Sequence, residues 1–518
     1  MTRRAPAAWL ALTALLAAWA LFPVALILLH DGTRHATWTG ADGLIGAHGV
    51  LGVDQLQYLS WARDASAHGL ASDLFTLGGS GHVYLEPAAE LMAGLRRIGV
   101  SLPAGVVILT VIAAALLAAA LLAWVRRLLG GRPAAQAAAV ALAVAASSPA
   151  SAVIDWAQLG SGPFRFAAYL AGDEQLLAAK LWGYLPAAFA LSLMTFAVLW
   201  LERGIEQRRR APIAGAAGAA LLASWLHPWQ GATLALLILG LALWRRDPRE
   251  WPALAAVLLG AAVPLAYYIV LSHADPAWHI ASQLEDGSRL PAAVLALCVA
   301  PLVAIAALGV RRVSGFEPAE QALVLWIPAA LVVYFVNDAY ATHALEAIGL
   351  PFGVLAVRAA DRLSLRPALA TLAALALTVP VAAYEARKFA RTATSPLVQY
   401  AVGRDDMAAL RWVARRAPRG GVLAAMPFAA TVPAITGRAV WVGDGYWTPH
   451  YAARARAARQ LFTGRLSPTA ARALVHRTGA RVLVSDCAHH ADLTRALGSM
   501  VTATRQFGCA RVDVLRRG

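Results

Sequence analysis

Apolar residues run in eleven long stretches, at 7–29, 103–125, 134–154, 184–202, 211–227, 229–244, 251–272, 291–310, 320–337, 343–360 and 367–386. A helix crossing a bilayer needs about 20 mostly apolar residues. The pattern therefore predicts a polytopic α-helical membrane protein with about 11 transmembrane helices. The stretches 211–227 and 229–244 are short and adjoin at Trp225-Leu226-His227-Pro228-Trp229, which predicts a helical hairpin whose tip barely leaves the bilayer. Arg3 and Arg4 precede the first stretch as in a signal peptide. It is too long for a signal h-region, and Phe22-Pro23-Val24 offers no small-residue cleavage site, so a retained span is expected.

The polar gaps alternate in charge. Arg126 and Arg127, Arg208, Arg209 and Arg210, Arg245 and Arg246, Arg311 and Arg312, and Arg358 and Arg362 mark one set. Asp54, Asp64, Asp155, Asp173, Glu174, Asp275, Glu285 and Asp338 mark the other. Arginine in short loops stays cytoplasmic during insertion. The expected topology in the cytoplasmic (inner) membrane is N-terminus inside and C-terminal domain extracytoplasmic.

Three outward regions are long enough to carry a function. The first, 30–102, is far longer than a helix connection needs, and it holds two amphipathic patterns suited to helices lying at the membrane surface. One is Asp54 to Arg63, with Leu56, Tyr58, Leu59 and Trp61 apolar; the other is Pro87 to Ile98, with Leu91, Leu95 and Ile98 opposite Arg96 and Arg97. The second region is 155–183. The third, 387–518, has the patterns of a small α/β domain. Helices are expected over Asp405 to Ala417 and Ser467 to Thr478, and strands over Gly421 to Met426, Ala439 to Val442 and Arg481 to Ser485. Residues 1–386 form the transmembrane domain in this reading, and no internal repeat is visible.

Composition agrees with a membrane protein: 59% of the 518 residues are hydrophobic and 14% charged, against roughly 25% charged in soluble domains. Much of the net charge of +16 is inward arginine facing anionic lipid, which argues against nucleic acid as a partner. Of the three cysteines, Cys298 lies in a span and reads as inert packing. Cys487 and Cys509 lie near the ends of two expected strands, where an oxidising compartment permits a disulfide. No zinc-type cysteine or histidine spacing is present, nor any glycine-rich phosphate loop or Rossmann fingerprint.

Asp54 opens the first surface helix, where a carboxylate fits either a helix cap or a catalytic base meeting a lipid head group. Asp173 and Glu174 can ligate a divalent cation or orient a sugar hydroxyl, and they can equally be solvated charges with Lys180 as partner. His227 sits between two short apolar segments, at a depth where an ionisable group tends to face a cavity; it also fits as a simple turn closure. His343 and Glu346 share a helix face, as a phosphate and sugar site or as a local pair. Trp61, Trp156, Trp182, Trp278 and Trp447 read mainly as interfacial anchors, with sugar stacking open to one or two of them. Gly443 to Pro449 is a turn-rich segment that fits a structural loop or an acceptor contact, while Asp275-Pro276 and Glu285-Asp286 receive no role.

The stretch Asp54-Gln55-Leu56-Gln57-Tyr58-Leu59-Ser60-Trp61, followed by His68-Gly69-Leu70 and Leu74-Phe75-Thr76, resembles the first-loop pattern of bacterial GT-C superfamily membrane glycosyltransferases. Asp173-Glu174, His227-Pro228, Thr342-His343-Ala344-Leu345 with Leu350-Pro351, Val432 to Arg438 and Gly443 to Pro449 are similar to later parts of that pattern. The resemblance implies a polyprenyl-phosphate-sugar donor, a cell-envelope glycan, lipid or protein acceptor, and hexosyl or pentosyl transfer with Asp54 as general base. Asp173, Glu174, His227, His343, Lys180, Glu346 and Tyr58 are the implied substrate-binding residues. The cations for the departing phosphate are drawn from His227, His343, Lys180 and Arg165. Many family members carry paired acids where this chain has Asp54-Gln55. That departure leaves open a divalent cation, Mg or Mn, at Asp54, Asp173 and Glu174. Two other readings stand beside this one: a transporter or lipid/glycan flippase, and a non-catalytic binder of lipid-linked glycans. Transporters favour midplane charges and internal repeats, which this sequence lacks.

Overall fold

Prolines set where many of the helices begin. Pro87, Pro133, Pro149, Pro163, Pro186, Pro228, Pro276, Pro318 and Pro468 each stand in a first turn, where the missing N–H costs nothing and φ is already helical. Glu86, Ser148, Ser161, Asp275 and Ser467 accept the free amides at five of these starts. The computed structural model describes residues 4–30, 36–38, 53–182, 184–283, 289–310, 317–393, 401–489 and 491–516. Arg311, Arg312, Glu285 and Asp286 lie outside the described residues.

All eleven apolar stretches are helical, and the protein is a polytopic helical membrane protein. Among the described residues eight helices are long and apolar enough to cross a membrane, nine if one broken helix is included. The shortfall from eleven has two local causes. Pro133–Ala145 and Pro149–Trp156 are bent by 40°, because Pro149 lacks the N–H needed to continue the helix and Ser148 Oγ caps Ala150 instead, 3.4 Å away. Arg210–Leu226 and Pro228–Arg245 are only 17 and 18 residues long, divided at His227, whose extended backbone ends one helix and starts the next. The helix expected over 343–360 is also composite: a 3₁₀ turn, Ala341–Ile348, runs into Gly349–Arg362.

The chain forms two compact units. One comprises 1–21, 109–269 and 285–388, and the other comprises 22–108, 270–284 and 389–518. In the first, glycines bring backbones together. A Cβ on Gly353 would overlap the Ala139 carbonyl, and one on Gly309 the Leu355 carbonyl, as expected where helices associate through small residues. The arginine-rich gaps also hold acids, contrary to the simple alternation read from the sequence. Arg127 binds Glu202 at 2.6 Å and also Glu317, Arg132 clasps Asp361 at 2.7 and 2.8 Å, and Arg358 clasps Glu320 at 2.7 and 2.6 Å. These helices are close enough in space that part of the arginine count serves pairing.

In the second unit, β1 (Ala36–Trp38) pairs antiparallel with β2 (Ala401–Gly403). A four-stranded sheet has the order β3 (Val422–Ala424), β4 (Val482–Ser485), β6 (Ala510–Leu515), β5 (Val501–Phe507), with β3–β4 parallel and the other pairs antiparallel. Leu423, Val442, Phe462, Leu474, Leu483 and Leu497 meet in its core. The strand expected over Ala439 to Val442 is reduced to a single bridge, Val422 to Val440. Cys487 and Cys509 are disulfide-bonded.

The two surface-helix patterns come out differently. Pro87–Arg97 buries Ala88, Ala89, Met92 and Ala93 and leaves Leu91 exposed. Val53–His68 instead buries Leu56, Leu59, Trp61, Ala62 and Ala65 within its own unit. It is a packed helix, and its apolar residues are core.

Candidate active site

Asp173 and Glu174 occupy the last turn of Gly162–Gln175. The chain then turns through the 3₁₀ segment Leu177–Trp182, which carries Lys180 back over them. Lys180 Nζ lies 2.8 Å from Glu174 Oε2, 3.3 Å from Glu346 Oε1 and 3.9 Å from Asp173 Oδ2. Glu346 comes from Ala341–Ile348, where a 3₁₀ repeat eclipses residues three apart and so stacks it beneath His343. His343 Nδ1 is 3.2 Å from Glu174 Oε1 and 3.3 Å from Glu346 Oε1, in a geometry that pairs charges without an aligned hydrogen bond.

His227 closes the cluster from the junction of the two short helices. Its Nε2 is 3.3 Å from Glu346 Oε2 and 3.0 Å from the Tyr184 hydroxyl. The residues after it fix the 3₁₀ turn: Trp229 Nε1 donates to Ala339 O at 2.8 Å, and Gln230 Nε2 donates to His343 O at 2.9 Å. Thr342 Oγ1 donates to Glu174 Oε1 at 3.4 Å. Sequence reasoning missed Tyr184, Trp229, Tyr340 and Gln230. Only the His227-Pro228 break hinted that the next two residues reach across to another helix.

Burial is uneven, and this shapes what the cluster can do. The side chains of Asp173, Glu174, Lys180, His227 and Glu346 are 3% exposed or less, whereas His343 is 18% exposed. His343 is ringed by Tyr184, Trp229 and Tyr340, with ring centroids 5.4, 4.8 and 5.8 Å away. An imidazole therefore stands at the mouth of a buried set of opposed charges. Burial opposes the charge on Lys180, but Glu174, Glu346 and Asp173 outweigh it and hold the ammonium above its ordinary range. Burial likewise opposes ionisation of Glu174, and Lys180 and His343 outweigh it, holding the carboxyl well below the usual range. Such a network is prearranged to meet a polar, charged ligand without reorganising.

The other expected residues lie elsewhere. Asp54 falls in the first turn of Val53–His68, in the second unit, and its side chain lies outside the described residues. Tyr58 is half-buried in the same unit, edge-on to Trp61 at 5.6 Å. Arg165 donates to Gly160 O at 2.7 Å and is not part of the cluster. Asp173 and Glu174 have the Lys180 ammonium as counter-charge, 3.9 and 2.8 Å from their carboxylate oxygens. Three of the expected interfacial anchors are buried: Trp182 stacks on Trp19 at 4.4 Å, and Trp61 and Trp447 are core residues 5.4 Å apart. Trp156 is exposed, with the Arg387 guanidinium 4.9 Å from its ring.

No family model matches the chain, and no curated protein matches it. Solved structures do. The archaeal oligosaccharyltransferase AglB of Archaeoglobus fulgidus, in complex with an inhibitory peptide and a dolichol-phosphate, matches with TM-score 0.52 at 16% identity, over 94% of this chain and 70% of that one. The arabinofuranosyltransferase AftD from Mycobacteria matches with TM-score 0.54 at 16% identity, over 98% of this chain but 40% of that one. ArnT of Cupriavidus metallidurans matches end to end, 96% and 97% of the two chains, with TM-score 0.45 at 15% identity. The chain shares its fold with AglB and AftD.

Proposed function

We propose that this chain, built on the GT-C fold, transfers a hexosyl or pentosyl group from a polyprenyl-phosphate donor to a cell-envelope acceptor at the extracytoplasmic face. The buried cluster of Glu174, Lys180, His343, Glu346 and His227 carries the reading, because burying so many ionisable groups is costly and such clusters gather at functional sites. In the proposed step the acceptor hydroxyl attacks the anomeric carbon, the bond from that carbon to the phosphate oxygen breaks, and polyprenyl phosphate departs as an anion. His343, oriented by Glu174 and Glu346, binds the charge developing on that phosphate. Lys180 is a positioning residue that keeps the two carboxylates ionised and in place. Asp54 takes the acceptor proton; its support is its place at the start of the first-loop helix, matching the sequence resemblance. Asp173 and Tyr58 are assigned to sugar binding on the same resemblance.

Purified protein incubated with radiolabelled polyprenyl-phosphate sugars and envelope extracts tests this. Wild type should form labelled product. Asp54→Asn should lose on the order of 10²–10⁴-fold, the usual worth of a positioned base, with unchanged melting temperature. Full turnover by Asp54→Asn removes it as base. Movement of intact donor across proteoliposomes without transfer overturns the enzyme in favour of a flippase.

A further inference from the structure

A second convergence of ligand-type side chains lies in the other unit, and the reaction above makes no use of it. Asp64 and His68 are one turn apart on Val53–His68, and His82 comes from the loop that follows. His68 Nδ1 is 2.9 Å from Asp64 Oδ1, and His82 Nδ1 is 2.9 Å from Asp64 Oδ2. One ligand atom from each residue lies within 4.8 Å of the others. The two imidazoles stack with centroids 4.0 Å apart.

The positions are fixed before any ligand arrives. Ala71 and Tyr84 exchange backbone hydrogen bonds at 3.0 Å in both directions, which closes the loop and sets His82 two residues from the bridge. Ser72, beside that bridge, donates its N–H and its hydroxyl to Asp64 Oδ2, both at 2.8 Å. Arg97 Nη2 donates to Ala65 O at 2.6 Å and ties down the helix turn that presents His68. The Asp64 side chain is 3% exposed, while His68 and His82 are 51% and 41% exposed. A buried, hydrogen-bonded carboxylate with two imidazoles at a solvent-facing edge is the ligand chemistry of zinc, and Ser72 supplies the outer-shell bond that orients a ligating carboxylate.

We propose that Asp64, His68 and His82 bind a zinc-class divalent cation, with water completing the shell. A tetrahedral ion with bonds of about 2.1 Å separates its ligands by roughly 3.4 Å, so the two nitrogen–oxygen spacings of 2.9 Å need to open by about half an ångström. Two imidazoles directing their nitrogens at one carboxylate, one ring above the other, is an arrangement a shared cation stabilises and two imidazolium charges would strain. The ion clasps the loop to the helix. That loop receives Val440 N on Leu74 O at 2.9 Å and Thr448 Oγ1 on Phe75 O at 2.7 Å, so the clasp reinforces the seat of the C-terminal segment. A spacing search misses the site because one ligand is an aspartate and His82 is fourteen positions beyond His68.

The test uses full-length protein in detergent, stripped with chelator and titrated with Zn²⁺ by calorimetry and with Co²⁺ by visible absorption. Wild type should bind one more zinc per chain than His68→Gln/His82→Gln, both half-exposed positions that tolerate the change, and zinc should raise the melting temperature of wild type alone. Ser72→Ala should weaken binding about 10- to 100-fold. The visible bands of four-coordinate Co²⁺ should be absent from the double variant. Equal zinc stoichiometry and identical cobalt spectra in wild type and a folded double variant overturn the site.

Discussion

Lys180 Nζ stands 2.8 Å from Glu174 Oε2 with both side chains out of solvent. The pair crosses from the end of one helix to a 3₁₀ turn six residues on, so neither group can relax to the surface when its partner is removed. Taking away one half unbalances the buried charges that remain, which costs up to about 3–5 kcal/mol. Lys180→Met and Glu174→Gln should each melt well below wild type in detergent. The double variant should recover much of that loss while glycosyl transfer stays impaired, because Glu346 and His343 lose their shared counter-ions. Additive melting losses in the double variant would show that the two charges do not compensate one another.

Much of this site was legible in the residues, and the part that was not has a physical cause. Asp173, Glu174, Lys180, His227, His343 and Glu346 stood out because ionisable groups beside apolar stretches are expensive, and all six are joined by ion-pair contacts centred on Lys180 and Glu346. Their order was not legible, since it depends on Leu177–Trp182 doubling back, on Trp229 reaching Ala339 and on Gln230 reaching His343. Tyr184 and Trp229 look like any aromatic near a span end. Burial of Trp61 and Leu56 was misread for a related reason: an amphipathic helix meets lipid and protein with the same face, and sequence alone does not say which.

The Asp444 carboxyl gives the second unit a pH dependence. Burial pushes its pKa from 3.8 up to about 7, against the backbone N–H groups of Tyr446 and Trp447 that favour the charge. Between those values the unfolded chain has released a proton that the folded chain keeps. Stability from this group is therefore full near pH 4 or below, falls as pH rises toward about 7, and levels off above. At 1.4 kcal/mol per unit the effect is at most about 4 kcal/mol. Asp406, raised to about 6 chiefly by burial, acts in the same sense. Asp444→Asn mimics the neutral acid, so its denaturation midpoint should change less between pH 4 and 8 than that of wild type. Parallel pH profiles for the two proteins would refute the assignment.

Glycine has opposite roles at two positions of the helical unit, and one pair of substitutions separates them. Gly353, on Gly349–Arg362, lies against the Ala139 carbonyl of Pro133–Ala145, where an added Cβ would overlap backbone that cannot swing aside. Gly218, on Arg210–Leu226, has no atom within 4 Å of where its Cβ would stand. Overpacking of the first kind costs about 1–3 kcal/mol, while glycine in an open helix position costs roughly 0.5–1 kcal/mol relative to alanine. Gly353→Ala should therefore lower the melting temperature, and Gly218→Ala should leave it unchanged or raise it. The sign difference is the diagnostic, because a general intolerance of substitution in the spans would lower both. It also bears on the candidate active site: the helix that carries Gly353 continues directly from the turn holding His343 and Glu346. Gly353→Ala should therefore slow transfer beyond what its lost folded fraction explains, measured as turnover per folded molecule, whereas Gly218→Ala should not.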